Sequence, residues 1–66
     1  MFYFYDTKNK KYVETIDLFD NKIMYCLDFD RCLKFNTSQS KNVFKKIKKI
    51  NKNIRRIKLW KLKLMY

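Results

Sequence analysis

The sequence predicts a small α+β domain, an antiparallel sheet in β-β-β-α-β order with one amphipathic basic helix packed on one face. Three observations predict it. Apolar residues alternate through two segments, Tyr12 to Phe19 and Lys22 to Phe29, that flank a turn-forming Asp20-Asn21 pair. Further on, Val43, Phe44, Ile47, Ile50 and Ile54 recur at three- and four-residue spacing, the period of one helix face. Finally, 66 residues suffice for one core, because a domain of this size buries only about 60% of its unfolded surface.

The elements follow in order. Phe2-Tyr3-Phe4-Tyr5 is aromatic and strand-prone, and Asp6 to Lys11 is a polar turn. Asp and Asn tolerate positive φ, so a two-residue hairpin turn at Asp20-Asn21 needs no Gly. Such a turn sets Leu18 opposite Ile23, Ile16 opposite Tyr25, Glu14 opposite Leu27 and Tyr12 opposite Phe29. All but Glu14 are apolar, which makes this the covered face. The reverse face pairs Phe19 with Lys22, Asp17 with Met24, Thr15 with Cys26 and Val13 with Asp28, and is expected to be solvated.

Asp30 to Phe35 fits either a strand extension or a crossover. Asn36 to Ser40 then supplies a row of N-cap residues. At 100° per residue the apolar stripe beyond it spans about 120°, suited to packing on a sheet. Asn51 or Asn53 is a candidate for the left-handed position after the helix. The helical pattern fails after Ile57, whereas Trp60, Leu62, Leu64 and Tyr66 alternate with Lys61, Lys63 and Met65 as a strand does. The expected division of a single domain, 1–66, is therefore antiparallel strands in 1–35, a helix over 38–53 and a C-terminal strand over 57–66. A helix continuing past residue 60 is the alternative.

Composition excludes several kinds of chemistry. Gly is absent, so no Gly-rich phosphate loop, nucleophile elbow or EF-hand loop is present. His is absent too, which removes the commonest general base and zinc ligand. Cys26 and Cys32 have no further Cys or His beside them and read as reduced, buried thiols, with a disulfide as the unforced alternative. The N-terminus lacks the basic region of a signal peptide, and no stretch reaches the 18 or so apolar residues that span a bilayer. A cytoplasmic location is expected.

Charge is the informative signal. The chain carries a net +11, but 40 of its 66 residues are Phe, Tyr, Met, Ile, Asn or Lys, the residues of A/T-rich codons. Codon drift in an A/T-rich phage, plasmid or bacterial genome therefore accounts for part of the Lys excess. It does not account for the distribution. Residues 1–33 hold all six acids and five bases, whereas residues 34–66 hold twelve bases and no acid. Such asymmetry suggests contact with nucleic acid or an anionic membrane.

From Lys41 to Lys63 runs a nearly continuous cationic segment, whose candidate nucleic-acid-binding residues are Lys45, Lys48, Lys49, Lys52, Arg55, Arg56, Lys58, Lys61 and Lys63. Amines at this density neutralise several phosphates, and counterion release then drives binding whatever the base sequence. Arg55-Arg56 add planar forks for bidentate contact, while the dominance of Lys suits backbone tracking. Some of the twelve aromatics are available to stack on unpaired bases, which places RNA ahead of DNA.

The expectation is a non-enzymatic binding protein that engages RNA, DNA or a ribonucleoprotein through its basic C-terminal half. Size and composition suit a mobile element's inhibitor of a host nucleic-acid machine, the role that anti-CRISPR proteins exemplify. A protein target is a further candidate partner, and so is a second copy of the chain. Two alternatives use other residues. Residues 41–66 could lie on an anionic membrane as a cationic amphipathic helix. Asp17, Asp28 and Asp30, on one face of the expected hairpin, could hold Mg²⁺ as in a metal-dependent nuclease, although same-face acids are common on any solvated strand. No cofactor, catalytic residue or metal site is expected.

Overall fold

The computed structural model describes residues 1–59. Its elements are β1 (Phe2–Asp6), β2 (Lys11–Asp17), β3 (Lys22–Cys26), a single 3₁₀ turn (Phe29–Arg31), α1 (Thr37–Ile50) and β4 (Ile54–Lys58). The strands form one antiparallel sheet in the order β3-β2-β1-β4. The expected β-β-β-α-β order is present, with β4 pairing along all of β1, from Phe2↔Lys58 to Asp6↔Ile54.

Two carboxylates make the hairpins without Gly. Asp6 Oδ1 accepts the backbone N–H groups of Lys8 and Asn9 at 2.9 and 3.0 Å, and its Oδ2 accepts the Asn9 side-chain amide at 2.9 Å. This carboxylate holds the turn in which Lys10 takes φ 57°, a conformation that costs a residue with a Cβ about 1–2 kcal/mol. Asp17 Oδ1 likewise accepts from Phe19 and Asp20. Its grip starts the second turn at residue 18, so the loop is Leu18 to Asn21, with Asn21 at φ 55°. The two-residue turn is thereby corrected. Ile16 faces Ile23 and Asp17 faces Lys22, two residues away from the expected register.

A β-bulge between Val13 and Thr15 makes a second correction. It takes Glu14 out of the ladder and shifts the faces of everything before it. Val13, expected to be solvated, faces Tyr25 and is fully buried. Tyr12, expected on the covered face, instead contacts Tyr3 and Tyr5 on the other side, with centroids 5.9 and 5.0 Å away. Phe29 meets Tyr12 at 5.5 Å, but from the 3₁₀ turn, because β3 ends at Cys26.

Residues 30–35 are a crossover that touches the sheet twice. Leu33 N–H donates to the Val13 carbonyl, and Phe35 exchanges two backbone hydrogen bonds with Phe2. Asn36 then caps α1: its side chain accepts from Gln39 N–H at 2.8 Å, and Gln39 reaches back in a capping box. The helix lays Ile47 into a core with Phe4, Val13 and Ile54, all fully buried, while Val43 and Phe44 pack at its margin. Lys41, Lys45, Lys46, Lys48 and Lys49 are exposed.

The helix stops at Ile50 rather than at 53, and β4 begins at Ile54 rather than at 57. Asn51 is the reason. Its side-chain amide donates to Asp6 Oδ2 at 2.8 Å and to Tyr25 Oη at 2.9 Å, while its Oδ1 accepts Asn53 N–H at 2.9 Å. Tied to the sheet in this way, the chain turns and presents Ile54 to the core from β4. Asn51 has φ −142° and Asn53 is not among the positive-φ residues, so neither takes the left-handed position. The alternative of a helix past residue 60 gives way to β4. The expected strand positions from Trp60 to Tyr66 lie outside the described residues.

Candidate nucleic-acid interface

Because β4 is an edge strand beside α1, folding sets the two basic segments side by side. On α1, Lys41, Lys45 and Lys48 recur at i, i+4 and i+7, a row about 10 Å long at 1.5 Å rise per residue. Across from it, β4 supplies Arg55 and Arg56. These five cations, with Asn42 and Phe44, line a groove of about 610 Å³. None of the five pairs with a carboxylate among the described residues. The Arg31–Glu14 pair, at 2.9 Å, joins the 3₁₀ turn to the β2 bulge.

Two of these cations lie over aromatic rings. Arg56 spreads its guanidinium 3.8 Å above the Phe2 ring, and its Nε–H donates to Ser40 Oγ at 2.8 Å. Ser40 is itself fully buried and donates to the Thr37 carbonyl. The arginine fork is thus preset by β1 and by the first turns of α1, at small further entropic cost on binding. Lys48 Nζ lies 5.2 Å from the centroid of Phe44, whose ring stacks parallel to the core Phe4. Arg55 donates to the carbonyls of Lys52 and Ile54, which holds its head near the mouth of the turn.

The fold separates the sequence-predicted site residues. Lys45, Lys48, Arg55 and Arg56 come together in the groove, and Lys41 completes it. Lys49 does not join them: with Lys46 it lies on the opposite flank of the helix, around a second hollow of about 470 Å³ beside Leu18 and Asn21. Lys52 is in the α1–β4 turn, and Lys58 ends β4 opposite Phe2. Lys61 and Lys63 lie outside the described residues. Phe2, read from sequence as one of several aromatics available for stacking, and Ser40, read as one of the N-cap row, instead support Arg56. No local signal marks that role for either, since it is defined by Arg56, which belongs to a different element.

The acidic alternative loses its geometry. Asp17 caps the β2–β3 turn, Asp28 caps the 3₁₀ turn by accepting Asp30 N–H, and no His, Cys, Asp and Glu gather as a metal-binding set among the described residues. Cys32 is buried, with its thiol pushed up by that burial, and Cys26 is half-buried rather than enclosed. No helix among the described residues is long and apolar enough to cross a membrane. Comparison with protein-family models, curated proteins and solved structures finds no match to this chain. What the chain offers for binding is a small α+β domain with a cationic groove along one edge of its sheet.

Proposed function

We propose that the protein is a non-enzymatic binding module that grips the phosphate backbone of RNA or DNA, alone or within a nucleoprotein, in the groove between α1 and β4. One observation carries this reading: five cations from two elements converge on one concave surface, and none of them pairs with a carboxylate among the described residues. A cleft lined by one sign of charge concentrates the field and raises the local density of a polyanion. Blocking of a host nucleic-acid machine, the role that the composition suggests, would use the same surface. A bilayer as the partner would compete with the sheet for the apolar stripe of α1, whose Ile47 is fully buried against Phe4, Val13 and Ile54.

The two flanks of the helix allow a direct test. Lys41→Gln/Lys45→Gln/Lys48→Gln removes three charges from the groove, whereas Lys46→Gln/Lys49→Gln removes two from the other flank. Binding of a labelled oligonucleotide is measured against salt concentration. The groove variant is expected to weaken binding and to flatten the log–log salt slope by about 0.7–0.9 for each phosphate that is no longer neutralised. The other variant should shift both far less, and neither should alter thermal stability by much. Equal weakening per charge removed would show that binding is diffuse and would reject the groove.

A further inference from the structure

An aromatic ring, that of Phe44, lines the groove, and this distinguishes among nucleic acids. Phe44 is only partly buried, with its ring stacked on Phe4 at 6.0 Å and tilted by 10°. The Lys48 ammonium lies over that ring, and the Arg56 guanidinium lies over Phe2. Within the groove, the Lys48 ammonium therefore rests where the flat face of a base would stack on Phe44. A hollow of about 610 Å³ falls within the roughly 300–1,000 Å³ of pockets that enclose small ligands. A hollow of this size is on the scale of a single nucleotide, and only an unpaired base is free to enter it, since the bases of a double helix are already stacked on one another.

Resting on the proposed phosphate-binding role of the same groove, we infer that its ligand is single-stranded nucleic acid, one base of which stacks on Phe44 while its phosphates pair with Lys41, Lys45 and Arg55. The arriving base displaces the Lys48 ammonium from the ring, and the freed ammonium turns to the backbone. Arg56, stacked on Phe2 and tied to Ser40, keeps its two terminal nitrogens for phosphate, since they make no hydrogen bond among the described residues. Stacking of this kind tolerates any base, because every base has a π face. Recognition is thus of unpaired strand and not of sequence.

The test compares three probes of equal phosphate number by fluorescence anisotropy at one low salt concentration: single-stranded oligouridylate, an RNA duplex and an abasic single strand. The natural single strand is expected to bind at least about 5-fold more tightly than the abasic one, the lower end of what one stacked base contributes. It should also bind more tightly than the duplex. Phe44→Leu keeps an apolar side chain against the core but removes the π face. It should erase the preference of the natural strand over the abasic one, measured as the ratio of the two affinities. Equal affinity for natural and abasic strands, or tighter binding of the duplex, overturns the inference and leaves the phosphate groove standing. Failure of all three probes to bind would instead remove the phosphate-binding role on which it rests.

Discussion

Asp6 has no exposed surface, and among the described residues no Lys or Arg pairs with it. Burial alone would raise its carboxyl. The N–H groups of Asn9 and Lys8 and the amides of Asn9 and Asn51 outweigh that and hold it at about 2, below its ordinary 3.8. A carboxyl depressed on folding stabilises the native state above its unfolded value and ceases to do so as pH falls through its folded one. The shift corresponds to about 2 kcal/mol, present above pH 4 and lost between roughly pH 4 and pH 2. Denaturant titrations of the native chain and Asp6→Asn should therefore differ by a constant amount at neutral pH and converge in acid. A gap that persists undiminished at pH 2 would assign the effect to packing. In the sequence, Asp6 is legible as the first residue of a polar turn. Its bond to Asn51, 45 positions away, is not, because no local pattern tells which distant amide the fold will bring to it.

Among the elements, α1 was the most legible, since both the N-cap region and the apolar stripe are local properties of the chain. Its start rests on one side chain. Asn36→Ala removes the acceptor for Gln39 N–H and should cost about 1 kcal/mol, read as a lower denaturation midpoint with an unchanged denaturant slope. Asn36→Asp should retain most of that stability, because a carboxylate caps equally well and favours the helix N-terminus. The end of α1 was three residues off for a tertiary reason, the capture of Asn51 by Asp6 and Tyr25. The β2–β3 hairpin shows a different limit. Strict alternation cannot signal a bulge, so one unpaired residue, Glu14, reversed the expected positions of Tyr12 and Val13.

For the molecule as a whole, the decisive contact is that of the helix with the sheet. Ile47 sits at 0% exposure between Phe4, Val13 and Ile54. A core this small rarely supplies more than about 3–5 kcal/mol of net stability. Ile47→Asp would leave a buried, unpaired charge costing at least that much. The expected outcome is loss of the cooperative thermal transition, followed by circular dichroism, while Lys46→Asp on the exposed flank should still fold. A folded, soluble Ile47→Asp protein would mean that the stripe of α1 is dispensable to the sheet and is available for another surface.

Read alone, the sequence determined the fold class, the order of elements, the capped helix and the concentration of twelve cations in its second half. These follow from periodicity, capping chemistry and charge counts, all of which act between near neighbours. Tertiary structure decided the rest. The placement of β4 beside β1 set Arg55 and Arg56 across from Lys41, Lys45 and Lys48. The rotation of α1 on the sheet sent Lys46 and Lys49 to the other flank. Phe2 and Ser40 became supports for Arg56 only when residues 16 and more positions apart were packed together. A row of lysines in sequence is a property of composition. A groove needs two elements, and their relative position is fixed by the buried contacts of Phe4, Ile47 and Ile54, which the linear pattern of charge does not encode.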